Sequence, residues 1–294
     1  SYIITGGIGA LGLQVAQYLA THGASHLILT GRSGVSTDDQ RTALQALENA
    51  GVKIEVFAAD VSKPKDVTQL LAQTSNLRGV VHAAGVLDDG MLMHQSPKRF
   101  LKVAGPKVSG AWNLHIQTKD IPLDFFILFS SVASIIGSPG QSNYAAANAF
   151  MDGLAHHRKN HGLVATSINW GPWSDVGMAA SDVVLQRLMK DGWQPMNASQ
   201  GCDFIGHLLK VCNLTQAAVL PVDWRQFAAS IPGAVNWNIL SHIVSKEQSN
   251  PFVGNPAELA AQRVKEALPP KRVDHISSYL LERIAQTLRV PAAD

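Results

Sequence analysis

The sequence is short of cysteine, of net charge and of long apolar runs, and each shortage removes a class of protein. Two cysteines in 294 residues, Cys202 and Cys212, cannot build a disulfide framework. They read as small buried hydrophobes in a reducing, cytoplasmic compartment. A net charge of +2, from 24 basic and 22 acidic residues, gives no electrostatic footprint for nucleic acid or an anionic membrane. No apolar stretch approaches the length of a membrane span, and no signal peptide precedes the first predicted strand. Neither internal repeats nor low-complexity segments occur. No histidine pair at metal-ligand spacing has a third ligand, so no metal is expected, and His156-His157 read as a solvated helix face. The chain opens at Ser1, without an initiator Met, and closes at Asp294 just after a helical pattern. On that ground it is expected to be a piece of a longer polypeptide.

What is present is a regular alternation. Hydrophobic residues at 46% and 24 glycines fit an α/β protein of one or two domains. Short apolar runs predict strands at Tyr2–Thr5, Leu27–Thr30, Ile54–Ala58, Gly79–His82, Phe125–Phe129, Thr166–Trp170 and Ala217–Leu220. Helical patterns separate them: Leu13–His22, Thr37–Ala50 stopped by Gly51, a helix opening at Pro64, most of the segment up to about Gln117, and Asn143–His161. Apolar strands between helices predict a doubly wound parallel sheet, a Rossmann-type fold with a C-terminal helical tail. Gly171–Pro195 reads as loop plus a short helix. Ile231–Arg272 reads as a linker with one helix near Ala257–Leu268, broken by Pro269-Pro270. Val273–Arg289 is a fresh amphipathic helix with Ile276, Leu280, Leu281, Ile284 and Leu288 on one face. The expected division is a catalytic domain over 1–230, a linker over 231–272 and a separate tail over 273–294, with a helix docked on the first domain as the alternative for the tail.

Gly7, Gly9 and Gly12 form G-x-G-x-x-G between a strand and a helix. Such glycines permit a tight turn and let backbone N–H groups approach a pyrophosphate at the helix N-terminus. A glycine turn without a ligand is the plain alternative. The second strand ends Thr30-Gly31-Arg32-Ser33, with no acid until Asp38. An NAD site would favour an acid here, whereas a guanidinium can hold a 2′-phosphate in bidentate fashion, which points to NADPH. Arg32 could equally be a solvated surface residue. Asp60 could accept from an adenine amino group or cap a helix.

A second group of residues carries the chemistry: Lys107, Ser130-Ser131 at the end of an apolar run, and Tyr144-Ala145-Ala146-Ala147-Asn148. A Ser, a Tyr and a Lys brought together can move a proton onto a carbonyl oxygen while hydride arrives at carbon. A free Tyr has a pKa of about 10 and needs a nearby cation to act near neutral pH. The plain alternatives are a strand-end cap for Ser131, a core tyrosine, a solvated lysine and an ordinary helix-face amide.

Six pieces in order, TGGIGALG (Thr5–Gly12), Gly31-Arg32-Ser33, His82-Ala83-Ala84-Gly85, Ser130-Ser131, YAAAN (Tyr144–Asn148) and NWGPW (Asn169–Trp173), resemble the ketoreductase domain of modular type I polyketide synthases. That family is a branch of the short-chain dehydrogenase/reductase superfamily, and the resemblance covers about residues 1–228. Ordinary members carry Tyr-x-x-x-Lys, and here Asn148 stands at the Lys position. The resemblance implies that the lysine comes from an earlier Lys-Val-x-Gly, matched by Lys107-Val108-Ser109-Gly110.

It further implies an NADPH-dependent reductase of β-ketoacyl thioesters, with Tyr144 as proton donor and Ser131 as hydrogen-bond donor. Lys107 would lower the Tyr144 pKa and grip the nicotinamide ribose, and Asn148 would position Lys107 or a relay water. The implied cofactor contacts are Thr5, Gly7, Ile8, Gly9, Leu11, Arg32, Ser33, Asp60, Val61, Ala83, Ala84, Gly85, Lys107, Tyr144, Gly171 and Pro172. Leu87-Asp88-Asp89, with Gln141 where the A type carries Trp, implies a B-type domain giving a D-β-hydroxyl, and Ala146 the B1 subtype. Val176–Trp193 would form a lid, with Met178, Leu185 and Leu188 facing substrate. The implied partners are a β-ketoacyl chain on the phosphopantetheine of an acyl carrier protein in cis, other synthase domains, and an N-terminal structural half that is not in this sequence. The tail resembles the first helix of an acyl carrier protein but lacks its Asp-Ser-Leu. A non-catalytic scaffold and a stand-alone alcohol dehydrogenase are the competing readings. Intact Lys107, Ser131, Tyr144 and turn glycines speak against the first, the missing Met and carrier-like tail against the second.

Overall fold

A computed structural model describes residues 1–174, 182–211, 214–231, 233–244, 264–265 and 269–288. Met178, Cys212 and most of the helix expected near 257–268 lie outside these residues. Two compact units are present, Ser1–Asp223 and Trp224–Asp294.

The first unit is built on seven parallel strands: β1 (Tyr2–Thr5), β2 (His26–Gly31), β3 (Lys53–Ala58), β4 (Gly79–His82), β5 (Phe125–Ser131), β6 (Thr166–Trp170) and β7 (Gln216–Val219). Their order is β3-β2-β1-β4-β5-β6-β7, the doubly wound arrangement expected from the sequence. Each strand lies within two residues of its expected span at either end.

Successive side chains on a strand point to opposite faces, so neighbours divide between two cores. Ile4, Leu29, Val81, Ile127 and Ile168 enter one layer. It is covered by α1 (Ala10–Thr21), α2 (Asp38–Asn49) and α9 (Ala198–Val211). Ile3, Ile28, Val80, Phe126 and Leu128 enter the other. That face is covered by α3 (Pro64–Ala72), α5 (Ala111–Thr118) and α7 (Ser142–Asn160). Burial on both faces is why the central strands carry no polar alternation.

Several departures have local causes. Helix α1 starts at Ala10 rather than Leu13, because Gly9 serves as its N-cap. The stretch between β4 and Ser96 is irregular apart from a 3₁₀ turn at Leu92–His94. Helix begins only at α4 (Pro97–Ala104), where the Ser96 side chain caps Arg99 N–H. α4 runs into α5 through a six-residue π-helical turn, Gly105–Gly110. Pro106 has no N–H for an α-helical ladder, and a π turn accommodates that loss. A short α6 (Ala133–Ile136) follows β5, and α8 (Asp182–Lys190) is the short helix expected beyond β6. Helix α9 was not among the predicted elements, although Cys202, Ile205 and Leu208 are buried along it.

In the second unit, α10 (Trp224–Ser230) is followed by two 3₁₀ turns. The last helix, α11 (Pro269–Leu288), begins at the Pro269-Pro270 pair, four residues before the expected start at Val273. Proline suits a first helical turn, whose N–H groups have no intrahelical partner. Val273, Ile276 and Leu280 on this helix are exposed.

Gly201 on α9 packs against the benzo edge of Trp173, just past β6. A Cβ there would lie 2.1 Å from the indole ring. Gly201→Ala should destabilise the fold by about 1–3 kcal/mol through overpacking, read as a lower denaturant midpoint at unchanged slope.

Candidate active site

The strand order reverses between β1 and β4, and the crevice outside their C-terminal ends is where such sheets bind ligands. Two backbone segments meet there. Gly6 has φ +68° and lies against Ala83 and Ala84, so that a Cβ would come within 2.9 Å of their backbone. This glycine, outside the predicted G-x-G-x-x-G, closes the turn against β4. A Cβ on Gly7 would meet the Ile4 carbonyl at 2.5 Å, and one on Gly12 the Gly6 carbonyl at 2.2 Å. Gly9 N–H donates to the Gly6 carbonyl at 2.9 Å, and no side chain caps α1. The first N–H groups of α1 therefore face the crevice without a side-chain acceptor, which fits a pyrophosphate.

The other implied cofactor contacts divide. Leu11 is half-buried on α1, while Arg32 and Ser33 are exposed just beyond β2. Arg32 makes no ion pair with any described residue, and its charge helps to lower Asp60. Asp60 does not cap α3, whose N-cap is Lys63. Its Oδ1 accepts from the Ser62 hydroxyl at 2.7 Å and from Ser62 N–H at 3.1 Å. Burial raises the carboxyl, and these bonds outweigh it and hold Asp60 below its ordinary value. Three implied contacts turn inward instead. Thr5 is fully buried, with its hydroxyl on His82. Ile8 packs its side chain under Gly31. Val61 lies against Gly110, and its carbonyl accepts from Asn113 at 2.9 Å. Only their backbone can reach a ligand. Gly171, on whose far side Leu220 leaves no room for a Cβ, and half-buried Pro172 sit at the end of β6.

The predicted catalytic residues converge from three elements. The π turn swings Lys107 into the core, 4% exposed. Its ammonium donates to the Phe129 carbonyl on β5 at 3.0 Å and to Asn148 Oδ1 on α7 at 2.9 Å. The same nitrogen lies 5.1 Å from the Tyr144 ring centroid. Asn148 Nδ2 donates to the Tyr144 carbonyl at 2.8 Å, which turns its oxygen toward the lysine. Ser131 Oγ accepts from Ala133 N–H at 3.2 Å, so its own O–H can still donate, and the Tyr144 phenol is within its reach. The strand-end cap and a donor role therefore coexist in one hydroxyl.

Burial sets the electrostatics. Desolvation pulls Lys107 down to about 7, and the negative charge of Asp152 opposes the fall. Desolvation pushes the Tyr144 phenol up, while Ser131 and Asn148 draw it back. His82, beneath them, is fully buried and drops to about 3 for the same reason, with Lys107 adding to the effect. It is neutral: Nε2–H donates to the Pro106 carbonyl at 3.0 Å, so Nδ1 accepts from Thr5 Oγ at 2.6 Å. A Cβ on Gly85 would lie 3.0 Å from Lys107 Cε, so this glycine makes room for the lysine stem. Thr5, His82, Pro106 and Gly110 thus fix the π turn. The sequence signal for it was Gly105-Pro106 inside a helical stretch.

The positions expected to govern stereochemistry also meet. Gln141 Nε2 donates to Asp89 Oδ2 at 2.9 Å. Asp88 is gripped by Arg99 at 2.7 Å and Lys102 at 3.0 Å, and Arg99 also donates to the Asp89 carbonyl. Asn143 Nδ2 reaches the Asp88 carbonyl at 2.8 Å, so the loop after β4 is fastened beside Tyr144. Leu87 is half-buried, as are Leu185 and Leu188 on α8. No group of three or more potential metal ligands occurs among the described residues, and no described helix is long and apolar enough to cross a membrane.

The family model described as KR domain matches residues 1–175. Polyketide synthase GfsA of Streptomyces halstedii is 39% identical over 259 residues, covering 87% of this chain and 3% of that protein. A phenolphthiocerol/phthiocerol polyketide synthase of Mycobacterium tuberculosis is 35% identical over 295 residues, 98% of this chain and 13% of that one. A solved A-type ketoreductase from a modular polyketide synthase superposes with a TM-score of 0.75 at 37% identity, over 78% of this chain and 49% of the other. The chain thus spans a small part of its curated relatives and about half of the solved ketoreductase. The matched stretch contains both the glycine turn and the lysine that reaches Tyr144 from outside its helix, and the chain belongs to the ketoreductase domain family of polyketide synthases, oxidoreductases of Rossmann-like fold that use a nicotinamide cofactor.

Proposed function

We propose that this domain reduces a β-ketoacyl thioester, carried on the phosphopantetheine of an acyl carrier protein, to the D-β-hydroxyacyl thioester with NADPH. The observation that carries the reading is the convergence of Lys107, Tyr144, Asn148 and Ser131 beside the strand-order reversal. When bound, the cofactor supplies hydride to the carbonyl carbon. Ser131 Oγ–H donates to the carbonyl oxygen, on which negative charge develops. Tyr144 transfers its phenolic proton to that oxygen as general acid. The Lys107 ammonium then faces the phenolate this leaves, and Asn148 keeps it there. A scaffold that had lost catalysis would not need this buried cation. The Asp89–Gln141 contact supports the B-type assignment, because it fastens the loop bearing Leu87 and Asp88 next to the proton donor. The exposed apolar residues of α11 support reading residues 273–294 as the opening of a carrier-protein domain.

Reduction of a β-ketoacyl N-acetylcysteamine thioester, followed as loss of NADPH absorbance, should fall about 10²–10⁴-fold in Tyr144→Phe, the usual worth of a positioned general acid. Chiral analysis of the wild-type product should give the D alcohol. An L product would overturn the B-type assignment while leaving the reductase standing.

Arg32 gives a separate prediction. Its guanidinium stands where β2 ends, free of ion pairs among the described residues, so a 2′-phosphate would gain a charge-assisted bond of ~1.5–3 kcal/mol. Arg32→Ala should raise KM for NADPH about tenfold or more and leave that for NADH nearly unchanged. Equal changes for both cofactors would remove Arg32 from phosphate recognition.

A further inference from the structure

Helix α7 carries a third polar residue on the face that bears Tyr144 and Asn148. Asp152 follows them at the same four-residue spacing, which places all three in one row. Its residue is 8% exposed. Oδ1 accepts from Ser167 Oγ at 2.6 Å, and Oδ2 accepts from Ser134 Oγ at 2.6 Å and Asn169 Nδ2 at 2.9 Å. Every hydrogen-bond donor on this carboxylate, among the described residues, is neutral. A buried carboxylate with no cation in contact is costly, and a purely structural cluster could be built with an amide instead.

The cluster leads to the site in two ways. Gln216 Nε2 donates to Asn169 Oδ1 at 3.0 Å and so turns the Asn169 amide nitrogen inward. That nitrogen reaches Ser130 Oγ at 3.1 Å and the Ser131 carbonyl at 3.3 Å as well as Asp152. Ser130 Oγ in turn reaches the Asn148 carbonyl at 3.3 Å. The strand end bearing Ser131 and the turn bearing Asn148 are both tied to the carboxylate. The second route is charge. The groups facing the Lys107 ammonium are neutral His82 from β4, the Phe129 carbonyl from β5, and the Tyr144 phenol and Asn148 amide from α7. None of them carries negative charge, and Asp152 is the anion that acts on it.

We propose that Asp152 is a positioning residue of the reductase, fixing the Ser130-Ser131 strand end and holding the Lys107 ammonium in its charged form. The inference rests on the role given to Lys107 above. If Lys107 must be charged, turnover falls as pH rises through its value of about 7. Removing the anion disfavours the ammonium, so the loss begins at lower pH.

The test is the pH profile of kcat/KM with the N-acetylcysteamine thioester for wild type, Asp152→Asn, Ser167→Ala and Lys107→Gln. The alkaline limb should move acidward by about one pH unit in Asp152→Asn, as expected for one charge lost across a partly buried separation. It should keep its place in Ser167→Ala, which removes a hydrogen bond and leaves the charge. Activity lowered equally at every pH in Asp152→Asn, with the limb unmoved, would make Asp152 structural and overturn the proposal. A limb that persists in the residual turnover of Lys107→Gln is not the lysine's and would overturn the role of Lys107 together with this inference. Should Asp152→Asn not fold, Asp152→Glu decides: the charge is kept, so a lower kcat with the limb in place supports the proposal, and a moved limb overturns it.

Discussion

A lysine that is 4% exposed must find replacements for the water around its ammonium, and Lys107 finds them on two elements at once. The Phe129 carbonyl ends one of its N–H bonds on the sheet, and Asn148 ends another on α7. Each acceptor is itself held. Phe129 lies in the β5 ladder, and the Asn148 amide is oriented by the Tyr144 carbonyl. Unmaking either contact would leave a buried charge underbonded, which costs several kcal/mol. The lysine therefore fixes how far α7 stands from the sheet, and with it where the Tyr144 hydroxyl sits relative to Ser131.

Carrying the cation on a different helix from the tyrosine changes what must be rigid. A lysine one turn beyond Tyr144 would be placed by the helix itself. Here Lys107 comes from a π turn whose geometry depends on a proline without an N–H, a glycine tight against Val61, and the carbonyl that receives His82 Nε2–H. Burial, with Lys107 adding to it, lowers His82 to about 3 and so keeps it in the neutral form whose Nε2–H serves this carbonyl. In exchange, Asn148 is left free to accept from the lysine, which a second lysine could not do. π turns recur at functional sites because the extra residue re-aims a side chain without breaking the helix.

The sheet was legible because its strands are apolar on both faces and end at glycines, polar caps or prolines, and the strand order follows from right-handed crossovers. The glycine turn was legible from its spacing, yet Gly6, the residue with positive φ, was not, since nothing local distinguishes it from Gly7. Lys107, Ser131 and Tyr144 were legible as a candidate group from their chemistry, but that Lys107 stands in for the lysine absent at Asn148 was legible only through a resemblance, because a contact across 41 residues leaves no periodic trace. Helix α9 escaped for the opposite reason: its buried face is short and interrupted by Gly201, whose value lies in touching Trp173. Thr5, Ile8 and Val61 were placed at the ligand by position in a motif, whereas the structure uses their side chains to support the elements that carry it.

Buried and exposed halves of the site answer to different demands. Lys107 and Asn148 are enclosed, with Tyr144 and Ser131 half-buried beside them, and the Lys107 ammonium is bonded to two elements, so substitution there disturbs several bonds together. The loop after β4 faces outward instead, with Asp89 exposed and Met91, Leu92 and Met93 in solvent. It is fastened mainly through Asp88 and the side chains of Arg99, Gln141 and Asn143. Contacts of that kind can be exchanged without moving the sheet or the π turn. The contacts that fasten this loop are therefore separate from those that hold the Lys107 charge, so either set can change while the other keeps its geometry.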